Sequence, residues 1–163
     1  MKEGIKNYES LFLNTLPVGV CIIREDYSIS TWNHTLENWT GIQSHEALDK
    51  PLEDVVPEFS SLLIKERVNV IFGGGGPVIF SSRFHPRIFP LASANQNEGR
   101  FQRVSISPFE FSDGEARAMI AVEDVTAITD QVLRYRQIKD QIKYEFEEKK
   151  KTERALAVAI SKL

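Results

Sequence analysis

The residues of this sequence that could take part in chemistry are three histidines, one cysteine and a run of four glycines. The histidines, which are His34, His45 and His85, stand without a companion ligand at metal-site spacing, which favours surface or turn positions. Cys21 is the only cysteine, so neither an intrachain disulfide nor a cysteine-rich metal site can form. Residues 73–76 are all glycine but lack the Lys-Ser/Thr pair of a phosphate-binding loop, so a flexible turn is predicted.

Sequence motifs for catalysis are missing from the chain. It has no Gly-x-Ser-x-Gly elbow, no His-Glu-x-x-His sequence and no kinase loop set. His85 is followed by Pro86, which does not fit a phosphoacceptor helix. We therefore expect a module that is not itself an enzyme.

Composition and charge restrict the partners. With 42% hydrophobic and 26% charged residues the chain is in the ordinary globular range, and its net charge of −3 argues against nucleic-acid binding. The basic run at residues 149–151 directly follows acidic residues and is typical of a solvated helix face. No run of eighteen apolar residues is present, and the first residues lack the apolar core of a secretory signal. The expectation is a cytoplasmic protein with no membrane segment in this chain.

The first half of the chain predicts one helix, a hairpin and several short helices. Residues 5–16 have the spacing of a short amphipathic helix, and strands are predicted over residues 18–24 and 27–32. Asn33 is predicted to cap the next helix and Gly41 to end it. Short helical turns follow at residues 44–47 and 52–57. A longer helix is predicted over residues 60–72, with Leu63 and Val70 available for burial.

The second half predicts three more strands. They cover residues 78–85, 101–109 and 116–123, and the last two are joined by a hairpin turn at residues 112–115. Within each strand, two-residue alternation places one group of residues on the same face: Val78, Phe80, Ser82 and Phe84 in the first, Gln102, Val104 and Ile106 in the second, and Ala118, Ile120 and Val122 in the third. Residues 86–99 are predicted to form a long, polar, mobile connection. Local hairpins with helices between them favour an α+β domain with one antiparallel sheet.

Three ordered phrases in the chain resemble the PAS sensor family. The sequence LPVGV at residues 16–20 is similar to the start of its first strand. Residues 29–33, ISTWN, followed by Glu37 and residues 40–42, TGI, resemble its second strand and next helix. The last strand and its exit resemble residues 114–126, which end in Glu-Asp-Val-Thr. The resemblance covers roughly residues 8–126, and the order of the phrases makes it more specific than any one of them.

The resemblance implies a PAS-like five-stranded antiparallel sheet whose flanking short helices enclose a pocket. It divides the chain into an N-terminal helix (residues 1–16), a sensor core (17–126) and a signalling helix (127–163). The expected pocket lining consists of Trp32, Phe59, Phe80, Ser82, Phe84, Val104, Ile106 and Ile120.

Two cofactors of that family lack their required residues here. Haem sensors of the family carry a ligating histidine on the long helix before the third strand, and residues 60–72 contain none. Covalent flavin photochemistry needs a reactive cysteine on a helix, whereas Cys21 lies in a predicted strand, where a small buried hydrophobe is expected. Neither haem binding nor covalent flavin photochemistry is therefore expected. Noncovalent flavin flanked by Trp32 and Trp39 stays open, although aromatic residues at such positions are more often core.

The residues after Thr126 predict one long helix. No proline or glycine occurs from there to Leu163. Thr126 is placed to cap it, while Asp124 is expected either to cap it or to pair with a basic side chain of the core. The relay residues are expected to be Asp124 and Thr126, followed by Ile128, Tyr135, Ile138 and Ile142. These four belong to a stripe of apolar residues at intervals of three and four that resumes at Leu156 and ends at Leu163. Packing of this stripe onto the chain's own core is the alternative to a dimeric coiled coil.

Three functional hypotheses follow. The first is a sensory module that binds a small ligand or partner and relays the signal through a dimeric helix to an effector outside the chain, such as a histidine kinase or cyclase. The second is a ligand-free dimerisation module, and the third is a redox sensor with noncovalent flavin. Because the amphipathic helix has no terminator, we expect the natural chain to continue beyond Leu163.

Overall fold

A five-stranded antiparallel sheet forms the centre of the first part of the chain. The computed structural model describes residues 11–92, 100–110 and 114–162. The sheet contains β1 (Gly19–Arg24), β2 (Ile29–Trp32), β3 (Val78–Phe80), β4 (Gln102–Glu110) and β5 (Ala116–Asp124). Their spatial order is β2-β1-β5-β4-β3, and each neighbouring pair is antiparallel. The predicted α+β architecture is confirmed.

Short helices fill the chain between β2 and β3. They are α1 (His34–Thr40), α2 (Ser44–Ala47), α3 (Leu52–Val55), a 3-10 turn (Pro57–Ser60) and α4 (Leu62–Phe72). Residues 11–15 are also helical, whereas residues 5–10 of the predicted first helix lie outside the described part of the chain. The last helix is α5 (Thr126–Ile160). Two compact units result, Met1–Val125 and Thr126–Leu163.

Helix α1 begins and ends where the sequence predicts. Asn33 precedes it in extended backbone, and its side-chain oxygen accepts a hydrogen bond from the Leu36 N–H at 3.1 Å. Gly41 follows it in the left-handed conformation at φ +76°, where a glycine has no steric penalty, and donates to the Glu37 carbonyl. A second glycine, Gly19, lets α1 approach β1, because a Cβ there would lie 2.5 Å from a Leu36 methyl carbon.

Alternation along the strands creates the core. The apolar residues that alternation groups together in β4 and in β5 are all buried, each with 0% exposure. They pack against side chains from the helices in one apolar group, which we call the interior cluster. Its members from the sheet are Cys21, Ile23, Ile29, Trp32, Phe80, Val104, Ile106, Ala118, Ile120 and Val122.

The predicted strand over residues 78–85 is wrong beyond Phe80. A turn follows, in which the N–H groups of Phe84 and His85 both donate to the Ser81 carbonyl. The turn cancels the two-residue alternation, so Ser82 is only half-buried and the Phe84 side chain is 74% exposed. These two residues are therefore not on the inward face that Phe80 occupies.

The buried face of α4 also differs from expectation. Leu63 and Val70 are about half exposed, at 51% and 52%, whereas Ile64, Val68 and Ile71 are buried. Apolar residues occur on every side of this helix, so the sequence offers two stripes with similar spacing. Packing against the sheet selects one of them.

The connection after β3 is not simply polar. Residues 86–92, which we call the strap, contain no helix or strand, yet Ile88 and Phe89 are each only 2% exposed. The expectation of a polar connection is wrong for this stretch. Residues 93–99 of the same predicted connection, together with residues 112–113 of the predicted hairpin turn, lie outside the described residues.

Candidate functional site

Six of the eight residues expected to line a pocket meet in the interior cluster. Three are aromatic residues from different elements: Trp32 ends β2, Phe59 lies in the 3-10 turn, and Phe80 ends β3. Val104, Ile106 and Ile120 form the sheet floor beneath them. The other two, Ser82 and Phe84, lie on the turn after β3 and outside this cluster.

Phe89 is a member of this cluster that the sequence did not reveal. Its ring centroid lies 5.7 Å from that of Phe59 in an edge-on arrangement, and 6.1 Å from that of Trp32. Such distances are typical of favourable aromatic pairs. The available signal was the apolar pair Ile88-Phe89 within a stretch that otherwise resembles a loop. The strap therefore contributes one ring to the centre of the predicted pocket.

A buried glutamine holds the strap in place. Gln102 is only 1% exposed, and its side-chain oxygen accepts from the N–H of Phe89 at 2.9 Å and of Ile88 at 3.3 Å. Its Nε2 donates to the Phe89 carbonyl at 2.6 Å. One amide side chain thus satisfies both main-chain groups of Phe89, as a buried polar group requires. Sequence alternation placed Gln102 on the inward face but did not indicate its partner.

Cys21 and the histidines take the positions that were expected. Cys21 is fully buried, and burial raises the pKa of its thiol well above the ordinary range, so it has the character of a small core residue. His34 and His45 are exposed, and His85 stacks edge-on against Phe80 at 5.2 Å between ring centroids. Among the residues that the structure describes, no three His, Cys, Asp or Glu side chains could together hold a metal ion.

The exit of β5 is tied to α1 by an arginine. Asp124 pairs with Arg100, with 3.3 Å between Oδ2 and Nη1, so the core-pairing expectation for Asp124 is met. The Arg100 guanidinium carbon also lies 5.9 Å from the centre of the Trp39 ring, within cation–π range. Since the Trp39 carbonyl accepts from the Ala92 N–H at 2.6 Å, the strap, α1 and the exit strand meet at one place.

Helix α5 begins at Thr126 itself. Because a capping residue precedes the first helical residue, the prediction for Thr126 is displaced by one position, within the usual uncertainty of helix ends. The preceding residue, Val125, donates its N–H to the Phe101 carbonyl at 2.9 Å, which extends the sheet hydrogen bonding up to the helix.

Helix α5 displays a stripe of mainly apolar residues. It has 35 residues, about 52 Å of helix, and none of them is buried. Residues spaced alternately by four and three share one side of the helix, as in a heptad repeat. They are Ile128, Val132, Tyr135, Lys139, Ile142 and Phe146, which we call the seam, and its apolar members are 44–70% exposed.

Lys139 is the seam residue that the apolar pattern alone missed. At about 100° per residue, Ile138 lies roughly 80° from the middle of the seam, whereas Lys139 lies near its centre. Ile138, with 59% of its side chain exposed, therefore flanks the seam. Leu163, the last residue of the predicted stripe, lies outside the described residues.

Together these features define a small α+β domain with an apolar interior, a buried amide that fixes a loop within it, and a helical extension. The family model for the PAS fold matches residues 10–125, and the chain belongs to that family. Within the described residues, no helix is both long and apolar enough to span a membrane. A search of curated protein sequences finds no match.

Solved structures show the same fold at low identity. The chain is similar to a sensory box sensor histidine kinase from Vibrio cholerae, with 21% identity, a TM-score of 0.52, and coverage of 77% of this chain and 95% of that one. The PAS domain of BvgS from Bordetella pertussis shares 12% identity with a TM-score of 0.56, covering 85% and 98%. The PAS domain of an HTR-like protein from Haloarcula marismortui shares 14% identity with a TM-score of 0.53, covering 75% and 98%.

Proposed function

We propose that this chain is a sensory module that responds to a small ligand in the interior cluster and relays the change through a dimeric α5 helix to an effector. The observation that carries the proposal is the position of α5: 35 helical residues begin directly after the last strand of the sheet, with an apolar seam exposed along them. An exposed stripe of this kind is stabilised by pairing with a second copy.

A route between the interior and α5 supports the relay. The strap is joined to β4 through Gln102 and to α1 through the Ala92–Trp39 hydrogen bond. Arg100 then joins Trp39 to Asp124, two residues before α5 begins. A change in the interior that moves the strap would therefore alter the contacts of Trp39 and Asp124 just before the start of the helix.

The seam is suited to two arrangements. Lys139 at its centre places a charge where a coiled coil prefers an apolar side chain, which lowers the stability of the helix pair. Charged residues also occupy the stripe between Glu147 and Arg154. A weakened seam is the property expected of a helix pair that switches between registers.

The test is the association state of the full chain and its seam variants, measured by sedimentation velocity. Ile142→Asp should give monomers, because it places a charge in the seam, while Tyr144→Asp is the matched control on the side away from it, at 62% exposure. Lys139→Ile should lower the dimer dissociation constant by at least about tenfold, since burying one such side chain contributes about 1.5–3 kcal/mol. Monomeric behaviour of both the wild type and Lys139→Ile would refute the dimeric relay and favour packing of the stripe elsewhere.

A ligand-free dimerisation module is the second candidate, and one observation favours it. Phe89 is buried, and its ring already packs against both Phe59 and Trp32. Mass spectrometry and an absorbance spectrum of the purified chain distinguish the candidates. A bound small molecule would support the sensor, and flavin absorbance would identify the redox version.

A further inference from the structure

Phe89 of the interior cluster makes the kinds of contact that a bound ligand would make, namely ring packing and hydrogen bonds to a buried amide. The Phe89 ring packs between Phe59 and Trp32, and it arrives from a segment without regular secondary structure. Its neighbours in the strap on either side of the Ile88-Phe89 pair, Arg87 and Pro90, are exposed. The strap therefore inserts one buried pair of side chains from an otherwise solvated stretch.

The main chain of Phe89 is bound by hydrogen bonds in addition to the packing of its ring. Gln102 donates to the Phe89 carbonyl and accepts from the Phe89 N–H, with donor–acceptor distances of 2.6 and 2.9 Å. The N–H and the C=O belong to the two peptide groups that flank Phe89, and one side-chain amide supplies the acceptor and the donor for both. Because Gln102 is buried, a replacement that lacked these groups would leave its amide unsatisfied.

We propose that the ligand of this domain is a molecule whose aromatic ring is flanked by an N–H and a C=O from two separate amide groups, as in an N-acylated aromatic amino acid amide, and that it binds by displacing Phe89. The ring takes the place between Phe59 and Trp32, and the N–H and C=O take the two hydrogen bonds that Gln102 makes with Phe89. This rests on the proposed sensory function and names the ligand class for its site.

Displacement of the strap has a defined consequence. Both ends of the strap are hydrogen-bonded. At the first end the Pro86 carbonyl accepts from the Gln102 N–H at 3.2 Å, and at the second end the Ala92 N–H donates to the Trp39 carbonyl. Short segments with few regular hydrogen bonds open at lower free energy than the whole domain. Loss of the second end would disturb Trp39, which Arg100 joins to Asp124 at the exit.

The experiment uses the full chain and N-acetylphenylalanine methylamide as the probe, with propylbenzene as the probe that lacks the amide. Phe89→Ala removes the ring of the internal competitor but keeps the main-chain groups that Gln102 binds, and Phe84→Ala removes an exposed phenylalanine as the matched control. If the open strap has a population of about 0.1–10% in the wild type, loss of the ring should raise that population and tighten the apparent Kd for the amide probe, by at most about 10- to 1000-fold. Phe84→Ala should bind like wild type.

Each result supports or overturns the ligand class. The ligand class is supported if Phe89→Ala binds the amide probe more tightly than propylbenzene and if this preference is lost in the double variant that also carries Gln102→Leu. A folded Phe89→Ala chain that binds neither probe, or binds both equally, overturns it. If Phe89→Ala does not fold, amide hydrogen exchange in the wild type decides: the probe should increase exchange at Ile88 and Phe89, and unchanged exchange at saturating probe overturns the proposal.

The same samples separate this proposal from the sensory function. Binding of the amide probe without any change in helix association would contradict the relay and leave the ligand class standing. Absence of binding, with dimerisation through the seam intact, would remove the ligand class and leave the helix role standing.

Discussion

Replacing Asn33 with alanine should destabilise the sheet unit far more than the same replacement at Asn14, because the two amides differ in burial. Asn33 is 1% exposed and uses its full hydrogen-bonding capacity. Its Oδ1 accepts from the N–H groups of Val20 (2.9 Å) and Leu36 (3.1 Å), and its Nδ2 donates to the carbonyls of Leu13 and Val18, both at 2.9 Å. One side chain therefore joins residues 11–16, β1 and α1.

The magnitude follows from the groups left without partners. The N–H groups of Val20 and Leu36 belong to buried residues, and each would cost about 1–3 kcal/mol when unsatisfied. The two carbonyls belong to half-buried residues and can be partly hydrated, so their cost is smaller. We expect a loss of about 3–5 kcal/mol in the free energy of unfolding, against a typical total of about 5–15 kcal/mol. The midpoint of thermal unfolding should fall by about 10–20 °C.

Asn14 is the matched control for this prediction. Its side-chain oxygen accepts from the His34 N–H at 2.9 Å, again in the first turn of α1, but Asn14 is exposed. Asn14→Ala should therefore cost only about 0.5–1 kcal/mol, since water replaces the lost acceptor. Urea unfolding of both variants, monitored by tryptophan fluorescence, measures the difference. Equal losses in the two variants would refute the assignment of Asn33 as a buried connector.

Three further changes test other parts of the sheet unit. Gly19→Ala should destabilise the sheet unit by about 1–3 kcal/mol, because the new Cβ would lie 2.5 Å from a leucine methyl carbon of α1. Gly76→Ala is the control: a Cβ there would have no atom within 4 Å, so the variant should be neutral or slightly stabilised in the same urea titration. The pKa of Glu37 is lowered chiefly by its hydrogen bond with a histidine ring and by a backbone N–H, so its ionised form contributes stability above the unfolded pKa that is lost as pH falls through the folded pKa. Glu37→Gln should therefore reduce stability at pH 7 and flatten its dependence below about pH 5; an unchanged acid profile would contradict this. Arg100→Gln removes a partly exposed ion pair with Asp124 and should cost less than about 1 kcal/mol, so a larger loss on calorimetry would indicate a structural role beyond that pair.

The strands and caps were readable from sequence because their determinants are local. Alternation in β4 and β5 separates inward from outward residues whatever lies around them, and Asn33 and Gly41 provide a start and a stop for α1 that depend only on backbone geometry. The spacing of the apolar residues in α5 is equally local, which is why the sequence predicts one long helix with an apolar stripe.

Errors arose where long-range packing chooses between local alternatives. Alternation continued past Phe80, but the chain turns there, so Phe84 is exposed. In α4 the choice between two apolar stripes was made by contact with the sheet, which buries Val68 and leaves Val70 half exposed. Neither outcome could be read from spacing, since both alternatives have the same period.

The sequence by itself determined the family, the order of the strands along the chain, the cap of α1 and the long helix α5, because each depends on residues close together in the chain. Tertiary structure alone decided what fills the interior. Phe89 and Gln102 are 13 residues apart. The Gln102 side chain makes one hydrogen bond with Ile88 and two with Phe89, and these bonds exist only because the strap returns across the end of β4. A contact of that kind comes from the closing of a loop over a sheet, and no local pattern of residues encodes it.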